Sequence, residues 1–523
     1  MTKITIYDTT LRDGAQAEEI SFSLEDKLAI ARLLDDLGVH YIEGGYPAPG
    51  NAKDLEFYQR IKRQPLRNAR LVAFGSTRRA KYRVDQDPAI QALLDTGAPV
   101  IALVGKTWDL HVREVLHTTL EENLRMIKDS VHYLVGKKRE VFFDAEHFYD
   151  AYQANPAYAL EVLRTAAEAG ASWLVLCDTN GGTLPDVIRT ITSAARAGVS
   201  TPLGIHSHND TELAVANALA AVDAGARMVQ GTINGYGERC GNANLCSLIP
   251  NLQLKMKQAC LPPQKLSKLT VVSRAVTEIA NVPPREFSPY VGLNAFAHKG
   301  GLHVDAVRKT PVSYEHINPS LVGNERRLII SEQAGVASVL FKAGQMGVEL
   351  KPGSDEARSI IERVKQLEHN GYKYEGADAS FRLLMEKQLK QSRSFYDLEG
   401  YRVSVEQREQ KLVTEATLKI KLKGILIHTA AEGDGPVNAL DNALRKALEP
   451  HFPNLKKMRL VDFKVRVLDS KTGTAARVRV FIESQDERAA WGTVGVSTNV
   501  IEASWEALAD SFEYKLRSDR KWR

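Results

Sequence analysis

The side chains best suited to chemistry fall in two short segments far apart in the chain. Asp8-Thr9-Thr10-Leu11-Arg12-Asp13-Gly14-Ala15-Gln16 follows the first apolar run, and His206-Ser207-His208-Asn209-Asp210 closes a later one. Asp13, His206 and His208 together offer one carboxylate and two imidazoles, a mixed oxygen and nitrogen set suited to a divalent metal. Residues two apart on a strand point to the same face, so His206 and His208 present their rings together. The plainer alternative is a pair of hydrogen-bonded histidines. Arg12, beside the carboxylate, completes a kit for gripping a 2-oxo acid and stabilising negative charge as it forms. The bland alternative for Arg12 and Asp13 is a surface ion pair or a turn through Gly14. Asp210 precedes Thr211-Glu212-Leu213 and reads as a helix N-cap rather than a ligand.

Further candidates lie elsewhere. In Phe142-Phe143-Asp144-Ala145-Glu146, the two acids share the face of a strand that points inward. A buried carboxylate needs a partner. That partner is a nearby cation, an acid–base role or a structural arginine. The stretch from Asn234 to Asn242 has the spacing GxGxxxG, one residue too long for a dinucleotide fingerprint. Beside a metal site, such a loop more simply allows close backbone approach. Cys240 within it reads as a small packed thiol rather than a nucleophile.

Repeated strand–helix units must position these groups. Strand patterns cover Thr5–Thr9, Tyr41–Gly44, Leu71–Phe74, Val100–Val104, Val141–Ala145, Trp173–Cys177, Leu203–His206 and Met228–Ile233. Amphipathic stretches lie between them, among them Leu24–Leu37, Leu120–Leu134, Ala157–Ala169, Leu184–Ala197 and Glu212–Ala224, and Gly38, Gly170, Gly198 and Gly225 follow several. The alternation predicts an α/β fold with a parallel sheet, and so many units in half a chain suit a closed (β/α)8 TIM barrel. Asp13, Glu43, Ser76, Glu146, Asp178, Thr179, His206 and Asn234 all fall at or just past strand ends, where barrel enzymes keep their chemistry.

The barrel is expected over residues 1–270. Residues 271–400 read as a linker or lid region with helices at Ser354–Gly371 and Ala379–Lys390. Its Gly300-Gly301 stretch is placed to cover the barrel mouth. From 401 to 523 period-two strands lead twice into a helix, Ala439–Leu448 and Ile501–Phe512, each preceded by glycines (Gly433 and Gly435, Gly492 and Gly495). This is a separate α+β domain with the look of an internal duplication. Net charge is a modest +5, and the basic end Lys515–Arg523 reads as a solvated tail, so neither nucleic acid nor membrane is expected as a partner. Cys177, Cys240, Cys246 and Cys260 lack CxxC spacing and read as reduced thiols of a cytoplasmic protein, and the N-terminus shows no signal-peptide anatomy.

Several of these segments carry a family likeness. DTTLRDGAQ (8–16), HSHND (206–210), NGYGERCGNANL (234–245) and AFAHKGGLHVDAV (295–307) closely resemble the metal-dependent acyl-CoA Claisen-condensing synthases, which make 2-isopropylmalate, homocitrate or citramalate. AEGDGPVNALDNAL (431–444) and WGTVGVSTNVIEASWEAL (491–508) resemble that family's regulatory and dimerisation domain. The resemblance implies Asp13, His206 and His208 as metal ligands, with Asn242 as a fourth. It implies Arg12 on the alkoxide, Thr179 on the substrate carboxylate, and Glu146 near the reacting carbon. His303 becomes the base, with His298 as its rival, and Asp305 falls near coenzyme A. Mn2+ or Mg2+ is implied as cofactor, with Zn2+ as the other option, and acetyl-CoA as co-substrate. Gly44-Gly45-Tyr46-Pro47, the run Ala15 to Glu19, and Asp144 in the substrate pocket depart from the usual isopropylmalate pattern. They look like one subgroup of citramalate-forming members, which use pyruvate. For that subgroup isoleucine is the implied effector and a homodimer the implied assembly. Competing readings are a sibling synthase for another 2-oxo acid, a lyase running the reverse cleavage, and a catalytically inactive amino-acid-binding protein.

Overall fold

The computed structural model describes residues 3–48, 50–63, 65–299, 301–328, 343, 344, 348, 350, 351, 354–389, 394–408, 411–468, 473 and 475–521. Gly300 of the glycine pair, Lys390 at the expected end of the second linker helix, and Trp522 and Arg523 of the basic end lie outside the described residues. The chain forms two compact units, Met1–Phe296 with Ile317–Glu325, and Ala297–His316 with Arg326–Arg523.

In the first unit eight parallel strands close a barrel in sequence order. They are β1 (Thr5–Asp8), β2 (Tyr41–Glu43), β3 (Arg70–Ser76), β4 (Val100–Lys106), β5 (Glu140–Glu146), β6 (Trp173–Asp178), β7 (Leu203–Ser207) and β8 (Met228–Gly231). β8 pairs back to β1, with Thr5 opposite Met228. Alternation sorts the side chains. Tyr7, Val72, Val100, Ala102, Phe142, Val175 and Met228 pack together inside the barrel. Their strand neighbours Ile6, Ala73, Ile101, Val141, Leu174, Ile205 and Val229 are buried in the larger core, against the surrounding helices. Towards the strand ends the inward positions turn polar: Asp144 follows Phe142, His206 follows Gly204 and Gln230 follows Met228.

Local chemistry sets the helix ends. The Ser23 hydroxyl accepts from the Asp26 N–H and the Asp26 carboxylate accepts from the Ser23 N–H, a reciprocal cap for the helix Leu24–Leu37. Gly38 closes that helix at φ 93°, a left-handed turn that a Cβ resists. The expected cap at Asp210 is absent. The chain takes a left-handed turn at Glu212 (φ 62°), so the helix begins later, as Ala214–Asp223. Asn209 Oδ1 accepts the Ala214 N–H at 3.2 Å, while Asp210 pairs with Arg239 at 2.8 Å.

In the second unit β9 (Ala297–His298) pairs in parallel with β10 (Arg327–Leu328). Helices Asp355–His369 and Asp378–Gln388 follow. Then come β11 (Tyr396–Arg408), β12 (Lys411–Leu422), β13 (Ile425–Gly433) and helix Pro436–Leu448. The same order recurs as β14 (Arg459–Val467), β15 (Val478–Gln485), β16 (Ala490–Ser497) and helix Val500–Lys521. Each strand trio is an antiparallel sheet, so the repeat visible in the sequence is a repeated βββα unit. The two copies share one core through Leu418, Leu444, Ile482 and Leu508. A Cβ on Gly433 would lie 2.4 Å from the Ala439 nitrogen, and one on Gly495 would lie 2.1 Å from the Ala503 oxygen. These glycines therefore let strand and helix backbones touch. Ile360, Val364, Phe381 and Met385 of the two preceding helices share a core with Val494.

The basic end is not a solvated tail. The last helix runs on to Lys521, because Lys515 is buried between Asp486 (2.6 Å) and Asp519 (2.9 Å), and Arg517 is gripped by Glu386 and Glu513, each at 2.8 Å. Among the described residues no helix is long and apolar enough to cross a membrane.

Candidate metal and substrate site

Asp13 comes from the turn after β1, His206 from the end of β7, and His208 from just beyond it. Their ligand atoms lie within 4.8 Å of one another, and all three residues are buried. His206 Nε2 is 3.4 Å from Asp13 Oδ2 and 3.3 Å from His208 Nε2. A bridge between His208 and Asn242 brings the loop after β8 alongside, and Asn242 Nδ2 stands 3.2 Å from the same His206 nitrogen. Gly237 makes room for this: at φ 155° its Cβ would fall 1.8 Å from Asn242 Oδ1.

The donor set fits a divalent cation. Asp13 Oδ1, His208 Nδ1 and Asn242 Oδ1 are buried without a hydrogen-bond partner. Orphaned buried acceptors are costly, and so are two ring nitrogens turned towards each other. One cation ligated by Asp13 and by Nε2 of both rings would take up the carboxylate and relieve the facing nitrogens, and turning the Asn242 amide over would add its oxygen. Burial disfavours the Asp13 carboxylate, but Arg12 and His206 outweigh it and hold Asp13 well below the usual carboxylate range. Burial, helped by His206, pushes His208 down to about 3, so its ring is neutral and able to ligate. Burial also works against a charged His206, and the Asp13 contact overcomes it and raises that ring.

Arg12 is fixed from three sides. Its guanidinium lies 3.9 Å over the Phe74 ring, its Nε binds the Glu43 carboxylate, and its Nη1 is 3.0 Å from Asp13 Oδ2. Glu43 in turn accepts from the Tyr7 hydroxyl at 2.5 Å. Asp13 is buried and Arg12 largely so, and the two do not form a surface ion pair.

The two acids of β5 both point inward, and among the described residues neither pairs with an arginine. Asp144 accepts from Gln230 Nε2 at 3.3 Å, and burial, then Glu43, pushes its carboxyl up to about 7. Glu146 pairs with Lys106, its register partner on β4. Thr179, just past β6, accepts the His147 N–H at 2.9 Å through its hydroxyl oxygen. Asp178 is used structurally: it accepts from Thr183 at 2.7 Å and Asn217 at 3.2 Å. Asn234 ties the loop to the helix Leu269–Ile279, donating to the Ser273 carbonyl (3.0 Å) and Thr277 (2.9 Å). Cys240 is exposed, against the expectation of a packed thiol, because it lies on the outer turn of the glycine loop; Cys177, Cys246 and Cys260 are buried.

His298, His303 and Asp305 belong to the second unit. His303 and Asp305 lie on the helix Gly301–Lys309, His303 exposed with its ring 4.3 Å from that of Tyr314, Asp305 bound to Lys309 at 2.6 Å. His298 Nε2 is 3.4 Å from buried Glu315, which also holds Arg326.

Sequence reasoning passed over Gln230, Lys106, Tyr7 and Phe74. Lys106 obeys the same strand-end rule that flagged Glu146. Gln230 is the lone long polar residue in Met228-Val229-Gln230-Gly231, a run otherwise apolar enough to read as plain core.

Residues 3–276 match the HMGL-like family model, 290–372 the homocitrate synthase post-HMGL domain-like model, and 375–516 the LeuA allosteric (dimerisation) domain. An (R)-citramalate synthase of Aquifex aeolicus is 53% identical over 522 residues, covering 99% of both chains. One from Geobacter sulfurreducens is 52% identical over 523 residues, covering 100% of this chain and 99% of the relative. The chain belongs to the citramalate synthase family. A 2-isopropylmalate synthase of Methanocaldococcus jannaschii stands further off, at 31% identity over 99% of this chain and 96% of its own. Within the citramalate synthase family the chain is a condensing enzyme of the acyltransferase type, and the Asp13, His206 and His208 cluster lies in its HMGL-like part.

Proposed function

We propose that the enzyme condenses pyruvate with acetyl-CoA and water to (R)-citramalate and CoA, for isoleucine biosynthesis, and that isoleucine inhibits it. The observation that carries this reading is the convergence of Asp13, His206 and His208 beside a clamped Arg12, in a chain whose full-length relatives at 46–53% identity are (R)-citramalate synthases. A divalent cation (Mn2+ or Mg2+, with Zn2+ as the alternative) held by these three side chains and Asn242 would act as Lewis acid on the keto group. Arg12, with Nε and Nη1 committed, offers Nη2 to the oxygen that gains negative charge. Thr179 accepts from the His147 N–H, so its own O–H is left to donate to the pyruvate carboxylate. Glu146, held by Lys106, orients groups near the reacting carbon. Asp144 borders the pocket that receives the pyruvate methyl. His303 is assigned as the base that takes the acetyl proton and Asp305 as a contact of coenzyme A. The match to the LeuA dimerisation domain supports a homodimer, and the unpaired cysteines support a cytoplasmic setting.

Release of free CoA thiol with pyruvate, 2-oxoisovalerate and 2-oxoglutarate tests the substrate. Pyruvate is expected to give the highest kcat/KM by a wide margin. A preference for 2-oxoisovalerate would move the chain to its isopropylmalate-forming siblings, and no thiol release with any acid would leave only a binding protein.

A further inference from the structure

Inside the barrel, one hydrogen-bonded chain leads from a carboxylate to a ring of the metal cluster. Gln230, 1% exposed on β8, stands opposite His206 in the β7–β8 register. Its Oε1 is 3.0 Å from His206 Nδ1, and its Nε2 donates to Asp144 Oδ1 at 3.3 Å. Asp144 comes from β5, on the far side of the interior, and is 3% exposed.

We propose that Gln230 is a positioning residue that sets the tautomer of His206, with Asp144 as its anchor. Gln230 Nε2 donates to Asp144 Oδ1, so Asp144 takes the NH2 side of the amide. The amide oxygen is then turned to the imidazole, and an oxygen there requires the proton on Nδ1. In the neutral ring that leaves the Nε2 lone pair directed at Asp13, His208 and Asn242, the form of histidine that binds a metal. The reverse amide orientation would give up the bond from Nε2 to Asp144 Oδ1 and place the ring proton on Nε2, where it blocks the cation. Two strands and an anchor on a third thus hold one ring in one protonation pattern. Neither Arg12 nor Glu43 is hydrogen-bonded to this chain, although their charges act on Asp144.

The inference rests on the proposed metal site, and the test separates the two. The dissociation constant of Mn2+ is measured on the full chain from the free-ion EPR signal, for wild type, Gln230→Met and Gln230→Glu, with thermal unfolding of the metal-free proteins alongside. Gln230→Met keeps the volume and removes the acceptor, and should weaken Mn2+ binding by roughly 10–100-fold. Gln230→Glu restores an acceptor for Nδ1–H and should bind Mn2+ within a few-fold of wild type. A folded Gln230→Met protein with wild-type affinity, or equal loss in both variants, would overturn the proposal while leaving the metal site standing. Absence of Mn2+ binding by the wild type would remove the metal reading itself. Should Gln230→Met fail to fold, a neutron map of the metal-free wild type decides: a deuteron on His206 Nδ1 supports the relay, and one on Nε2 alone refutes it.

Discussion

His298 and His303 lie five residues apart, and their surroundings assign them different work. His298 is committed to Glu315, whose carboxylate Arg326 also grips, and burial of that acid is outweighed by the arginine so that Glu315 sits below its usual range. His303 is exposed, with its ring against that of Tyr314. Replacing His303 with Ala should therefore abolish exchange of the acetyl-CoA methyl protons with solvent at unchanged melting temperature. His298→Ala should lower the melting temperature with smaller loss of exchange. The opposite pattern would transfer the role of base to His298. At Arg12 the expectation is quantitative: Arg12→Lys keeps a charge but not the fork held by Glu43 and Asp13, and should cost roughly 100–1,000-fold in kcat, as loss of one well-placed oxyanion donor does. A loss under tenfold would take Arg12 off the reacting oxygen. The convergence of Asp13, His206 and His208 was legible in the sequence because the donor types and the HxH spacing have few other uses. Gln230 and Phe74 were not, because their roles come from register and from the inward parity of strands that are distant in the chain.

Strands deliver these groups, and their parity explains the polar ring. Each barrel strand alternates inward and outward, so one register slip would send His206 towards the helices and Ile205 into the site. The eight strands were legible because both faces are buried and the apolar runs are short and bounded. The start of the helix Ala214–Asp223 was not, since the left-handed turn at Glu212 has no glycine to announce it. In the second unit the terminal helix carries a buried carboxylate, Asp510, which accepts from Ser380 at 2.6 Å. Burial, with Glu506 and Glu513 nearby and Lys387 opposing, pushes its carboxyl up to about 7. The folded protein therefore holds a proton that the unfolded chain gives up near pH 4. Between those values the native state binds more protons, so Asp510 makes stability fall as pH rises, with a slope of about 1.4 kcal/mol per pH unit at its steepest. Urea unfolding from pH 4.5 to 8 should show this loss, and Asp510→Asn should flatten it; an unchanged profile in the variant would exclude Asp510 as the source. Gly495→Ala should destabilise the same domain by roughly 1–3 kcal/mol, because the new methyl meets the Ala503 carbonyl. A melting curve equal to wild type would show that the helix can move away at no cost.

At the scale of the whole chain, the region read from the sequence as a linker contributes helices to the core beside β15 and β16, through Phe381 and Met385. Effector tests therefore belong on the full chain. Isoleucine should inhibit thiol release and leucine should not; equal inhibition by both, or by neither, would contradict the proposed regulation. A crystal of the full protein grown with Mn2+ shows whether the cluster in the barrel holds a cation. One anomalous peak is expected at bonding distance, about 2.0–2.3 Å, from Asp13, His206 Nε2 and His208. A map with no peak there, or with Asp13 and the two rings turned apart, would contradict the proposed metal site.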